Sequence, residues 1–529
     1  MNLYFRKLCL ILFLVSALTY GQTQKIDVLH YTNSITVTDS SDVIIGISDI
    51  DILFKTTVSN FSLDLINLNE DEKGMVVSKV LENNKPVEFS HIEDKLNINT
   101  SASTNEKHNY TIHYSGIPAD GLIISKNKYG DRTFFGDNWP NRARNWVACV
   151  DHPSDKAFVT FKITAPSQYQ VIANGMQVEE TDLNNGNTFY VWKTNVAIPT
   201  KVMVIGIAKF AVEYIGEVQN IPVSSWVYPQ NKEAGFYDYA QAKTVLEFFI
   251  ENVVPYPYQK LANVQSKTRF GGMENASNIF YFENSVTGKR EQENLIAHEI
   301  AHQWFGNSAS EIDWSHLWLS EGFATYFTNL YVEQIHGKEA LYKRLQSERK
   351  TVIDFAKNQY TPVVDFDTKD YMKLLNANSY QKGGWILHML RKKIGDDLFW
   401  EGIRKYYDTY KLNNTSTEDL RLIFETVSKQ DLKSFFNQWL YTAGHPELTI
   451  QNQIEDNKLN ITIAQKQQSE HTFTFPLELK LIYDNGSEEL KTLEVSKQDE
   501  AFSISLRSEL KDIVIDPDTW LLFENITQE

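Results

Sequence analysis

The sequence predicts a multidomain α+β fold: an N-terminal antiparallel β domain, a mainly helical central domain and a small C-terminal β-sandwich. Hydrophobic periodicity carries this reading, because it runs at strand period from about residue 25 to 228, at helical period to about 442, and at strand period again to the end. Length supports it, since 529 residues exceed what one hydrophobic core normally serves. Composition agrees: 42% hydrophobic and 13% aromatic residues are ample for packed domains.

Ahead of the first strand, Arg6 and Lys7 precede an apolar run over 8–18, then Thr19-Tyr20-Gly21. A charged start, a short apolar stretch and small residues before polar sequence describe an export signal with a cut after Gly21. The run is too short to span a bilayer, so no transmembrane anchor is expected. Cys9 lies inside it, which leaves Cys149 as the sole cysteine of a processed chain and rules out an internal disulfide. Loss of Arg6 and Lys7 takes the formal charge from −17 to −19. An acidic exported protein is a poor partner for nucleic acid or anionic lipid. The expected location is the periplasm or the medium.

In the β domain, stretches 43–54, 62–68, 110–114 and 158–163 alternate or run apolar for strand lengths between Asn, Asp, Gly and Ser clusters. The period changes near Lys232, and 237–252 reads as an amphipathic helix ended by Pro255-Tyr256-Pro257. Further helical windows are 291–305, 317–335 with Gly337 as C-cap, 380–394 before Gly395, 397–410 and 417–428. After Gly444-His445-Pro446 come strands at 448–450, 459–463, 477–483 and 489–495, with Asp484-Asn485-Gly486 as a hairpin turn. The expected divisions are 1–21 (signal), 22–230, 231–444 and 445–529.

Chemistry concentrates in His298-Glu299-Ile300-Ala301-His302. On a helix, residues four apart stack on one face, so two imidazoles address a single point. That suits tetrahedral zinc, and a catalytic zinc takes three protein ligands with one position open. Glu321, in Leu319-Ser320-Glu321-Gly322, lies far enough beyond His302 for a second helix to return a carboxylate as third ligand. Glu299 can then serve as general base on water. Leu295-Ile296-Ala297 before the motif and Trp304-Phe305-Gly306 after it make the helix apolar nearly all round. Buried histidines and a glutamate there need strong partners, and one zinc ion per chain supplies them.

Some twenty residues earlier stands Gly271-Gly272-Met273-Glu274-Asn275. Paired glycines bare the backbone where a peptide pairs with a strand edge. A glutamate there can hold a peptide's α-ammonium by charge-assisted hydrogen bonds.

Together these residues resemble the aminopeptidase N family of gluzincin zinc aminopeptidases. The likeness rests on Gly271–Asn275, His298–His302 and Glu321 in order and spacing. It extends to His302-Gln303-Trp304-Phe305-Gly306-Asn307 and Leu317-Trp318-Leu319-Ser320-Glu321-Gly322-Phe323-Ala324. The resemblance implies a thermolysin-like catalytic domain, peptide substrates with a free N-terminus, and Tyr380 of Tyr380-Gln381-Lys382-Gly383 as oxyanion donor. Members also carry a Gln or Glu in the β domain that helps hold the amine. A gap-free match puts Trp139 or Asp137 there, and Asp137 has the charge for it. Two departures bear on the pocket: Ala276-Ser277-Asn278 follows the exopeptidase motif, and the sequence ends after the β-sandwich, which implies a less enclosed cleft. Competing readings are an epoxide hydrolase, an endopeptidase and a non-catalytic peptide-binding protein.

Overall fold

The computed structural model describes residues 25–526, and the export signal expected over 1–21 lies outside them. The chain divides into two compact units, Met1–Asp313 with Tyr410–Asn414 and Trp314–Thr409 with Thr415–Glu529.

The first unit is built on a large sheet. Its main path runs Met176–Asp182, Asn187–Lys193, Lys156–Pro166, Ile26–Thr36, Ile44–Phe54, Lys107–Ile117, Gly74–Glu82, Lys85–Pro86. Ile44–Phe54 buries Ile44, Ile50, Ile52 and Phe54 on one face while Ile45 stays exposed, the period-2 signature of a half-buried strand. One pairing departs from the antiparallel expectation. Ile26–Thr36 pairs parallel with Lys156–Pro166, with His30 opposite Phe158. Parallel neighbours need a long crossover, and the chain between these two strands supplies one in several further strands. The expected strand over 62–68 is Val58–Asp64, ending where Asp64 turns to bond Cys149.

The same unit holds a second sheet that carries part of the site. Its order is Ala211–Val218, Ile221–Val227, Leu261–Gln265, Asn278–Tyr281, Gly272–Met273. Leu261–Gln265 and Asn278–Tyr281 are parallel and buried at every residue, as strands covered on both faces are. Gly272–Met273 closes the sheet as an antiparallel edge strand against Phe280 and Tyr281. The single helix expected over 237–252 is two, Lys232–Tyr239 and Gln241–Asn252.

The second unit is helical and then β. Its longer helices are Trp318–His336, Lys338–Ala356, Gly383–Ile394, Asp396–Tyr410 and Thr417–Ser428. Gly337 and Gly395 end their helices at φ 85° and 89°, where a Cβ would be strained. Thr417–Ser428 opens on a capping box between Ser416 and Asp419. Lys338–Ala356 is a helix that the apolar pattern did not bring out. It buries only Leu341, Leu345, Glu348 and Val352, a narrow stripe on an otherwise charged segment. The C-terminal strands form two small sheets, Asp499–Ser505, Lys458–Gln465, Glu447–Glu455, Glu524–Asn525 and Glu488–Val495, Phe475–Tyr483, Leu510–Ile515. Gly486 turns the hairpin at φ 79°. The fold class is thus the expected one: β-rich, then helical, then β. Among the described residues no helix is long and apolar enough to cross a membrane.

Candidate functional site

Helix Glu293–Ala301 forms because Ile296, Ala297, Ile300 and Ala301 give it a buried face. Two turns carry it on through Phe305, and Gly306 at φ 116° redirects the chain. His298 and His302 therefore sit one turn apart. Their Nε2 atoms lie 3.1 Å from each other, with the rings nearly perpendicular at 85°. His302 Nδ1 donates to the Phe305 carbonyl at 3.2 Å, so its proton sits there and its Nε2 presents a lone pair. Tetrahedral zinc with Zn–N bonds of about 2.0–2.1 Å spaces two nitrogens about 3.3–3.4 Å apart. The pair fits such an ion, and the Phe305 carbonyl supplies the outer hydrogen bond that orients a metal-binding histidine.

Two carboxylates join them. One ligand atom each from Glu274, Glu299 and His302 all lie within 4.8 Å of one another, and all three residues are buried. Gly272 makes this possible. A Cβ built on it would fall 2.3 Å from Glu299 Oε1 and 2.6 Å from Glu299 Cγ. Only the absent side chain lets the edge strand lie against the Glu299 carboxylate. Gly271 has more room, its nearest neighbour being Leu295 Cδ1 at 3.7 Å.

Two amides clamp the strand's exit to the histidine helix. Gln303 donates from Nε2 to the Glu274 carbonyl at 2.7 Å and accepts from the Ser277 amide at 2.9 Å. Asn307 Nδ2 donates to the same Glu274 carbonyl at 2.6 Å. Both residues are 0% exposed. Sequence reasoning gave neither a role. The signal was present, since an amide on an all-round apolar helix must find a partner. Met273 and Asn275 are buried in the same segment.

Asp137 is bonded to groups of its own unit. It is 0% exposed, its Oδ1 pairs with Arg142 Nη2 at 2.6 Å and its Oδ2 accepts from the Arg269 amide at 3.2 Å. Burial raises its pKa against the pull of Arg142. Both oxygens thus bond the scaffold, and Asp137 anchors the segment that leads into Gly271.

In the second unit, Glu321 is buried in the first turn of Trp318–His336. Tyr380 lies in a π-helical turn, Asn378–Lys382, that runs into Gly383–Ile394. π-Turns recur at functional positions because they re-aim a side chain within a helix. The Tyr380 turn and the Glu321 helix meet at glycine on glycine. A Cβ on Gly322 would come within 2.8 Å of Gly383 Cα and 3.1 Å of the Ser379 carbonyl. That contact sets Glu321 and Tyr380 relative to each other.

Comparison with known proteins agrees with this chemistry. Residues 28–202 match the Peptidase M1 N-terminal domain and residues 237–439 the Peptidase family M1 domain. Glutamyl aminopeptidase of Bitis rhinoceros is 30% identical over 349 residues, 62% of this chain and 35% of that protein. Glutamyl aminopeptidase of Homo sapiens is 27% identical over 59% of this chain and 34% of its own length. Leucyl aminopeptidase of Saccharolobus solfataricus is 24% identical over 398 residues, 72% of this chain and 50% of that protein. The chain spans about a third to a half of these relatives. Two adjacent family domains, on a fold and a histidine–glutamate cluster of the expected kind, place the chain in peptidase family M1, the aminopeptidase N family of gluzincins.

Proposed function

We propose that this protein is an exported zinc aminopeptidase that removes the N-terminal residue from peptides. The observation that carries the reading is the convergence of His298, His302 and Glu299 beside the edge strand Gly272–Met273, with Glu274 in the same cluster. Zinc would be held by His298, His302 and Glu321, one ion per chain, and supplies Lewis acidity toward water and the scissile carbonyl.

The protein's own groups do the rest. The edge strand offers backbone for an extended peptide to pair with. Glu274 holds the substrate's α-ammonium, so only the first peptide bond reaches the metal. Glu299 takes the proton of the attacking water and passes it to the leaving amine. Tyr380 donates its hydroxyl to the developing oxyanion. The proposed divisions are a signal over 1–21, a β domain over 22–230, a thermolysin-like catalytic domain over 231–444 and a β-sandwich over 445–529. The segment around Arg6 and Lys7 supports export.

Purified protein assayed on aminoacyl-4-nitroanilides tests this. Turnover is expected on free-amine substrates, lost on chelation, restored by zinc, and absent on N-acetylated counterparts. Equal cleavage of acetylated substrates would remove Glu274 from amine recognition and point to an endopeptidase. Zinc-loaded protein without peptidase turnover would favour the epoxide-hydrolase or peptide-binding readings.

A sharper check targets Gly272. Gly272→Ala puts a methyl 2.3 Å from Glu299 Oε1, so the carboxylate must swing away. The variant should lose about 10- to 100-fold in kcat, since a misplacement near 1 Å can cost 10²-fold. Zinc content should be unchanged. Unchanged kcat would show that Glu299 does not need this position.

A further inference from the structure

Outside the histidine helix, a second group of ligand-type side chains gathers in the second unit. One ligand atom each from His445, Glu447 and Glu524 lie within 4.8 Å of one another. Glu447 and Glu524 are direct partners in a parallel pair, where Glu447–Glu455 meets the terminal strand Glu524–Asn525. Like charges facing across a strand pair repel, and the arrangement persists only if something compensates.

Lys357 compensates in part, with Nζ 2.8 Å from Glu524 Oε1. The other Glu524 oxygen, Oε2, faces His445 Nε2 at 3.8 Å, too long for a hydrogen bond. His445 is 2% exposed, and neither ring nitrogen has a hydrogen-bond partner among the described residues. A buried imidazole with both nitrogens unsatisfied carries the desolvation cost of each. A second cation in this region, Lys382, is engaged by the Gly444 carbonyl at 2.7 Å.

We propose that His445, Glu447 and Glu524 form a second divalent-cation site, structural rather than catalytic, that ties the terminal strand to Glu447–Glu455. One imidazole and two carboxylates are a borderline donor set that suits zinc or a similar transition metal over calcium, which takes oxygen ligands. Tetrahedral zinc with bonds of about 2.0–2.2 Å spaces its ligand atoms about 3.3–3.6 Å apart, so a set lying within 4.8 Å needs only a small closure. The glutamates can supply that by rotating their terminal torsions. Lys357 would stay on Glu524 Oε1 as the outer partner that orients the ligand.

The test is zinc titration of the full chain, read by calorimetry and by metal content after dialysis. The full chain should bind two equivalents. The double variant His298→Ala/His302→Ala should bind one. Adding Glu447→Gln to it should weaken that remaining site at least about tenfold and abolish its zinc-dependent rise in Tm. His445→Ala should act likewise, and Glu447→Gln covers the case in which emptying that buried position prevents folding. In the otherwise unaltered chain, Glu447→Gln should leave peptidase turnover unchanged. A double variant that binds no zinc, or one whose binding ignores Glu447→Gln, would overturn the inference. A full chain that binds one equivalent, sensitive to Glu447→Gln and indifferent to His298→Ala/His302→Ala, would overturn the catalytic assignment and leave this one standing.

Discussion

Glu299→Gln is expected to lower kcat about 10²–10⁴-fold, the worth of a positioned general base, while the zinc content stays that of the wild type. Glutamine keeps the size and hydrogen-bonding capacity of the side chain but cannot take a proton. Glu299 is buried, and with Glu274 and His302 it forms a set whose ligand atoms lie within 4.8 Å. Gly272 packs against its carboxylate. The substitution therefore removes the base with little change of shape, and KM should move far less than kcat. Steady-state kinetics on a free-amine nitroanilide, with metal content measured on the same sample, checks it. A Gln variant retaining more than about a tenth of the wild-type kcat would exclude Glu299 as the base.

Lys201→Met is expected to destabilise the fold by about 3–5 kcal/mol, the cost of stranding a buried charge. Lys201 Nζ pairs with Glu311, and their side chains are 1% and 0% exposed. With Lys201 gone, Glu311 would lie in the interior with its counter-charge removed. The second ammonium in that region, Lys156, is already engaged by the carbonyls of Asn307, Ser308 and Asn413, and burial lowers its pKa far below the usual range. It is a weak substitute. The double variant Lys201→Met/Glu311→Leu removes both charges and should recover most of the loss, because a well-packed apolar pair often matches a buried ion pair. Denaturant midpoints of the single and double variants decide the matter. A single variant within about 1 kcal/mol of wild type would mean that water or Lys156 satisfies Glu311.

The parts of the site that the sequence made legible are those set by local geometry. His298 and His302 had to share a helical face, because a four-residue step is one turn, and their Nε2 atoms do converge. Gly337 and Gly395 end helices as their positions suggested, since αL-side backbone favours glycine. The paired glycines at 271–272 bare the backbone as a strand edge requires, and Gly272–Met273 is an edge strand. Helix Lys338–Ala356 is not legible in the sequence, because its apolar stripe is one residue wide and its remaining surface is largely charged. The parallel pairing of Ile26–Thr36 with Lys156–Pro166 was equally hidden, because alternation of burial looks the same in either strand direction.

By itself, then, the sequence determined which residue types stand at helical or strand spacing: the histidine pair with Glu299, the glycine-bared edge, the capped helices and the order of β, helical and β segments. Tertiary structure decided everything that depends on residues distant in the chain. It committed Asp137 to Arg142 and to the Arg269 amide 132 residues away. It made Gln303 a clamp on Glu274 and joined Lys201 to Glu311 across 110 residues. It brought Glu447 opposite Glu524 beside a buried His445. The reason is physical. Spacing along a helix or strand follows from backbone dihedrals that each residue carries with it. The partner of a buried charge or amide is chosen only when the packed chain excludes water and leaves one neighbour within hydrogen-bond reach.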